Sequence, residues 1–228
     1  MLDAVENLGL MDNTRVLYTS DHGEAAGHHG IMGKGNHYEH ALGIPLLISG
    51  DGVPTGAARQ HITSHVDLFP TIVEAVGAQL QSEDDTLPGQ SLWPVIRGEA
   101  ADRADGEAFA EFHAMGARTA SFALRKGRYK LIYHVDMSSQ LFDLEADPLE
   151  EHDLLLDNED HPVATELETT LRRHVNPEET DSQAKSDQRS HAEAFGGMKE
   201  VAKAGVFSAS PIPGKAVELE GDSGSEKS

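Results

Sequence analysis

A helix that feeds a strand, with no strand before it, limits the fold most. In LDAVENLGL, residues 2–10, Leu2, Val5 and Leu8 share one helical face, and Gly9 supplies a stop. After the turn MDN, the run RVLYTS is short, apolar and rich in strand formers, which predicts a buried parallel strand. A helix leading into such a strand is half of a β–α–β unit, and the strand that would precede the helix is absent. IPLLISG, residues 44–50, predicts a second buried strand closed by the turn GDGVPTG. Two apolar strands without neighbours leave unpaired edges. The expected fold is therefore α/β: the later part of a larger sheet, with a smaller unit appended.

The rest of the chain reads in that frame. VDLFPTIVEAVGA predicts a helix capped by Asp67, with Leu68, Ile72 and Val76 on one face and Gly77 at its end. Gln81 to Gly89 is a polar linker, and SLWPVIRGEAADRADG continues as loop. AFAEFHA, SFALRKGRYKLIYHV and QLFDLEADP are strand-like, and KGR at Lys126–Arg128 marks a hairpin tip. These segments predict a small antiparallel sheet. PVATELETTLRRHV predicts a helix, with Pro162 in its first turn and Val163, Leu167, Leu171 and Val175 spaced by four. A polar helix opens at Asn176–Pro177 and is stopped by Gly196 and Gly197. The expected divisions are 1–80 for the α/β part, 81–107 for the linker and 108–176 for the antiparallel-sheet subdomain with its packing helix. A helical extension over 177–214 and a disordered acidic tail over 215–228 follow.

Composition excludes some chemistries. The chain has no cysteine, so it holds no disulfide, thiolate metal site or cysteine nucleophile. A formal charge of −21 repels nucleic acid and anionic membranes, so neither is an expected partner. Scarce lysine beside that charge reads as a solubility adaptation. No run approaches a membrane span, and no signal-peptide pattern opens the chain.

The chemistry concentrates in YTSDHGEAAGHHGIMGKG, residues 18–35. Asp21 stands just after a strand, where ligands bind in open α/β sheets. A carboxylate followed by an imidazole, Asp21–His22, can hold a divalent cation. Gly23 lets the backbone turn away from both. Lys34 lies between Gly33 and Gly35, so a ligand can approach its ammonium closely. Cation and ammonium together suit a tetrahedral oxyanion such as sulfate or phosphate. Taken singly, the Asp-His pair is commonly a cap and the lysine a solvated turn. GKG is not a nucleotide-phosphate loop, because His28 stands where that motif needs glycine and Gly35 replaces its Ser or Thr. His37, His40 and His65 read as structural residues or as supports behind the ligands.

TSDHGE, the IMGKG segment, HYEHALGIPLLISG and HVDLFPTIVEAVGA together resemble the C-terminal half of the sulfatases, within the alkaline-phosphatase-like superfamily. The resemblance runs through LPGQSLWPVIRG, GRYKLIY and QLFDLEADPLEEHDL, to about residue 175. AEFHAMGARTASFALRKGRYKLIYHV and the polar NPEETDSQAKSDQRSHAEAFGG are similar to the choline-sulfatase-like group.

This resemblance implies a large mixed α/β sheet, a smaller unit on a four-stranded antiparallel sheet, and hydrolysis of a small sulfate ester, choline sulfate foremost. It implies a divalent metal ion, calcium first with magnesium or manganese as alternatives. Asp21 would be a metal ligand, and His22 a second ligand or that ligand's direct partner. Lys34 would be catalytic, binding a sulfate oxygen and steadying the departing one. His29, Glu111 and His113 would lie by the substrate, with a capped strand end as the plain alternative for the last two. The family's nucleophile is a formylglycine made in a C/S-x-P-S-R motif. That motif is absent here, as are the paired aspartates of the family's first strand and the basic residues its N-terminal half contributes. The chain is thus expected to need an N-terminal half, to be inactive alone, to form a homo-oligomer when complete, and to be cytoplasmic. Two alternatives stay open: a phosphonate or phosphate monoester hydrolase of the same superfamily, and a stand-alone, non-catalytic oligomerisation or binding module.

Overall fold

Four short segments rich in aromatic residues and leucine build the main sheet. The computed structural model describes residues 2–113 and 117–204. Strands β3 (Glu107–Phe112), β4 (Ser121–Lys126), β5 (Tyr129–His134) and β6 (Gln140–Asp143) pair in chain order, each antiparallel to the next. Gly127, at φ 57°, makes the two-residue turn between β4 and β5, where KGR predicts a hairpin tip.

Both faces of this sheet are covered. On one, Phe122, Leu124, Leu131 and Leu141 pack against Leu167 and Leu171 of helix α6 (Pro162–His174). Pro162 sits in the first turn of α6, and the partly buried Val163 and Val175 extend the contact, so the spacing by four is realised. Each such leucine removed from water is worth about 1.5–3 kcal/mol.

The other face carries Ser121, Ala123, Lys130 and Ile132, all buried. Lys130 is the unexpected one. Its ammonium donates to Glu39 Oε1 at 2.9 Å and pairs with the buried Glu150, whose Oε2 accepts the Glu39 N–H at 2.6 Å. A buried cation persists where carboxylates enclose it. Ser121 Oγ meets His37 Nε2 at 2.9 Å. The second face of the sheet is therefore the platform on which residues 37–39 are fixed.

The first two strands correct an expectation. β1 (Arg15–Thr19) and β2 (Leu46–Gly50) run antiparallel, not parallel, with Leu17 opposite Ile48 and Tyr18 opposite Leu47. The chain between them doubles back through the glycine loop and the one-turn helix α2 (Glu39–Leu42), so β2 returns against β1. They are also not buried on both faces: Tyr18 and Leu47 are 61% and 63% exposed. An apolar run signals that a strand has two apolar faces, but not what covers them.

Helix α3 (Leu68–Ala75) forms where predicted and ends at Gly77, at φ 69°. Two details differ. The Asp67 side chain does not cap α3; it accepts the Ser64 and Gln90 N–H groups, closing a capping box on the 3₁₀ turn just before the helix. The face of Leu68, Ile72 and Val76 is largely open, with Ile72 and Val76 exposed, while Pro70 and Thr71 are the buried residues. Thr71 is held because it serves three partners. Its hydroxyl donates to Asp67 O and accepts from Leu92 N, and its carbonyl accepts the Trp93 indole N–H at 2.8 Å. The stretch expected as loop thus contains helix α4 (Trp93–Ile96), anchored by the buried Trp93.

Helix α1 (Leu2–Asn7) buries no residue. The one-turn helix α5 (Leu154–Asp157) is capped by the Asp153 carboxylate. The chain forms two compact units, one through Pro177 and one from Glu178 onward. In the second, most of α7 (Pro177–Ala194) is braced by an Asp181–Lys185 pair at 2.6 Å, and Gly196 and Gly197, both at positive φ, separate it from α8 (Met198–Ala204). The expected tail, 215–228, and residues 205–214 of the expected extension lie outside the described residues. Among the described residues no helix is long and apolar enough to cross a membrane.

Candidate active site

The site is built where β1 ends. The Ser20 carbonyl accepts the ring nitrogen of His65 at 2.8 Å, and the Ser20 hydroxyl donates to the His22 carbonyl at 2.8 Å. His65 thereby ties the turn before α3 to the residue just before Asp21. Gly23 is required by close packing: a Cβ there would lie 2.0 Å from the His40 carbonyl oxygen, while its N–H donates to Ala41 O at 2.8 Å. With the backbone pinned on both sides, Asp21 and His22 project from a fixed turn.

Their chemistry follows from the hydrogen bonds. The Nδ1–H of His22 donates to Gly23 O at 2.7 Å, which leaves Nε2 as the lone-pair nitrogen. That nitrogen lies 2.5 Å from Lys34 Nζ and 3.2 Å from Asp21 Oδ2. Three groups therefore meet at one surface point: an anionic oxygen, an imidazole lone pair and an ammonium. Desolvation, the largest single influence on Asp21, works to raise its pKa. The neighbouring His22, the N–H groups of Asp21 and His22 and the Ser20 hydroxyl outweigh it and hold the carboxyl below its ordinary value. Asp21 is 81% exposed, so the carboxylate is open to a ligand.

The loop returns Lys34 to this point by closing on itself. Ala25 N donates to Gly33 O, and Gly27 N to Ile31 O, each at 2.9 Å. Gly27, Gly30 and Gly33 take positive φ, as do Ala26 and His29, which tightens the turns. Beyond Lys34 the chain reaches the sheet: a Cβ on Gly35 would touch the Phe112 ring at 3.3 Å. Phe112 ends β3, between Glu111 and His113. His113 Nε2 stands 3.4 Å from Glu111 Oε2, and its ring packs edge-on to Phe122. The strand end carrying Glu111 and His113 is thus brought against the glycine that follows Lys34.

His29 is placed at the far end of the loop. Its ring stacks on Tyr38 at 4.0 Å, and its Nε2 lies 3.1 Å from Leu149 O. His28 and His40 stack at 3.6 Å. His37 is buried against Ser121, and its pKa falls to about 4. Burial is the main cause; the hydrogen bond at Ser121 opposes it, and His134, Lys130 and His113 add to it.

Sequence reasoning read His65 only as a structural residue or a support behind the ligands and gave Lys130 no role. His65 stands in HVD, in the turn just before α3; Lys130 shows only as a charge inside an apolar strand. A cavity of about 270 Å³ is lined in part by Thr19, Glu39, His65, Arg125 and Lys130. Asp21, His22 and Lys34 are not among its walls, and Asp21 and Lys34 are exposed.

The donor set supplies part of a divalent-cation site. An ionised carboxylate beside an imidazole whose Nδ1–H is anchored on a carbonyl is a fitting pair of ligands. Two donors fall short of a full shell, and among the described residues no group of three or more His, Cys, Asp or Glu could hold a metal ion.

Comparison with known proteins identifies the family of this chain. The sequence model of the C-terminal region of N-sulphoglucosamine sulphohydrolase matches residues 27–176. A choline-sulfatase of Rhizobium meliloti is 34% identical over 152 residues, covering 66% of this chain and 28% of that protein. Human arylsulfatase K is 33% identical over 154 residues, covering 64% and 28%. Among solved structures, BT4656 in complex with its substrate D-glucosamine-2-N,6-O-disulfate superposes with a TM-score of 0.66 at 30% identity, over 81% of this chain and 37% of that one. The phosphonate monoester hydrolase of Agrobacterium radiobacter gives 0.63 at 27% identity, over 75% and 36%. The chain spans little more than a quarter of the length of the curated relatives it matches. On the family match, the shared sequence and the shared fold, this chain belongs to the sulfatases of the alkaline-phosphatase-like superfamily and carries their C-terminal region.

Proposed function

We propose that the chain is the C-terminal part of a metal-dependent sulfuric ester hydrolase acting on a small sulfate ester, with choline sulfate as the leading substrate. The observation that carries this reading is the meeting of Asp21, His22 and Lys34 at one point. Lys34 provides a fixed positive charge for a non-bridging oxygen of the transferring group and for the departing oxygen. His22, locked by Gly23, keeps its lone pair turned toward the same point. Asp21 stays ionised and sets the local field. A divalent cation held by Asp21 and His22 would supply Lewis-acid neutralisation of the sulfate.

The nucleophile and further ligands would come from an N-terminal half bearing formylglycine, and the isolated chain would be inactive. The exposed Tyr18, Leu47, Ile72 and Val76 support a covering partner of that kind. Choline sulfate is favoured by the similarity to a choline-sulfatase and by a net charge of −21, which attracts a substrate with a cationic end. Glu111 and His113, on the strand end beside Gly35, would meet that end. His29 would support the loop from its far side. A homo-oligomer and a cytoplasmic location complete the reading.

A second reading, phosphonate or phosphate monoester hydrolysis, is favoured by the likeness to a phosphonate monoester hydrolase, since cation and ammonium serve either tetrahedral oxyanion.

The test joins this chain to the N-terminal portion of the Rhizobium relative, with formylglycine formed, and compares sulfate-ester with phosphonate-ester turnover. Release of sulfate that falls about 10²–10³-fold in kcat on Lys34→Ala is the expected result. A folded chimera indifferent to Lys34→Ala, or faster on phosphonates, overturns the sulfatase assignment.

A further inference from the structure

The glycine loop is long and exposed, yet its last residue lands within 2.5 Å of His22. Glycines make the turns of residues 26–33 accessible, but they do not select one of them. The selection comes from residue 33. Its carbonyl accepts the Ala25 N–H at 2.9 Å, and its N–H donates to Glu24 Oε1 at 2.6 Å. The same carboxylate oxygen also takes the Ala26 N–H at 3.4 Å. Two consecutive residues, Glu24 and Ala25, thus grip both polar groups of the residue directly before Lys34. Gly33 sits at φ 88°, a conformation glycine adopts freely and therefore leaves freely unless it is held.

We propose that Glu24 is the positioning residue of Lys34. Its carboxylate fixes the Gly33 peptide, and through it the distance between the ammonium and the Asp21–His22 pair. Glu24 lies on the same pinned stretch as Asp21 and His22, since Gly23 between them donates its N–H to Ala41 O at 2.8 Å. The carboxylate is thus referenced to the cation-binding side chains, and the loop it holds is referenced to them in turn. A carboxylate suits the task, because an ionised acceptor bonds a backbone N–H more strongly than a neutral one. Glu24 itself need not touch the substrate.

This rests on the reading of Asp21, His22 and Lys34 as one site, and the experiment separates the two claims. Long-range ¹H–¹⁵N spectra of the histidine rings, recorded on the full chain, report whether His22 Nε2 accepts a hydrogen bond. His22→Gln assigns the signal, and the His37 ring bonded to Ser121 reports that the fold is intact. Lys34→Ala should shift His22 Nε2 toward its unbonded position. Glu24→Ala should produce the same shift with His37 unmoved, and should speed exchange of the Gly33 amide about tenfold. Glu24→Gln, which keeps an acceptor oxygen at the same reach, should restore most of both. If Lys34→Ala moves His22 but folded Glu24→Ala does not, the positioning role falls and the site stands. If Lys34→Ala leaves His22 unchanged, both fall. Should Glu24→Ala fail to fold, exchange of the Gly33 amide in the unmodified chain decides: a rate equal to that of an open loop overturns the proposal, and protection largely kept in Glu24→Gln supports it.

Discussion

Single residues set the character of the site, and two of them make direct predictions. A Cβ on Gly23 would meet a backbone carbonyl, not a yielding side chain, at 2.0 Å. Gly23→Ala should therefore cost about 2–3 kcal/mol in urea unfolding. His37 predicts a pH dependence. Its folded pKa, about 4, lies below the unfolded value of 6.5, so the unfolded chain binds the extra proton between them. Stability from this residue is complete above pH 6.5 and is lost as pH falls toward 4, by about 3 kcal/mol in total. Burial lowers the His134 pKa too, with the same sign. His37→Gln should flatten the fall in unfolding free energy over that window; an unchanged slope would show that His37 is not buried neutral. The residue types at the site were legible from sequence because their mixture is rare. The acceptor for each was not: that His22 Nδ1–H meets Gly23 O, or that Glu24 meets Gly33, depends on how the loop closes.

Elements were legible where one period governs them. Val163, Leu167, Leu171 and Val175 repeat every four residues, and α6 lies on the sheet through that face. Leu171→Ala should cost about 3 kcal/mol in denaturant unfolding, whereas Leu156→Ala, at an exposed position, should change it by less than about 0.5 kcal/mol. Equal effects at the two positions would contradict the packing. Strand direction was less legible. RVLYT and PLLIS carry the apolar content of strands but no mark of parallel or antiparallel pairing, since either ladder accepts the same side chains. The stretch around Trp93 was misread for a related reason. One turn of helix shows no periodicity, and Trp93 is buried through Thr71, which is 22 residues away in sequence.

At the scale of the molecule, the first unit is tightly packed around its four-stranded sheet and open around β1 and β2. Tyr18 and Leu47, paired across that ribbon, offer apolar surface to solvent. Replacing them together, Tyr18→Thr with Leu47→Lys, should lower binding of a hydrophobic dye and any self-association seen by sedimentation. The unfolding free energy should stay within about 0.5 kcal/mol per site. Dye binding that does not change would place the sticky surface elsewhere. The sequence alone determined that apolar α/β segments precede an antiparallel sheet and that no cysteine lies in the chain, because these follow from residue identity and local period, and its combined motifs carried the resemblance that groups Asp21, His22 and Lys34. Only the tertiary structure decided that β2 returns antiparallel to β1, that Lys130 and Glu150 lie buried against Glu39, and that the end of β3 abuts Gly35. Those facts arise from contacts between distant segments, where the favourable partner of a side chain is fixed by the path of the whole backbone and not by its neighbours in sequence.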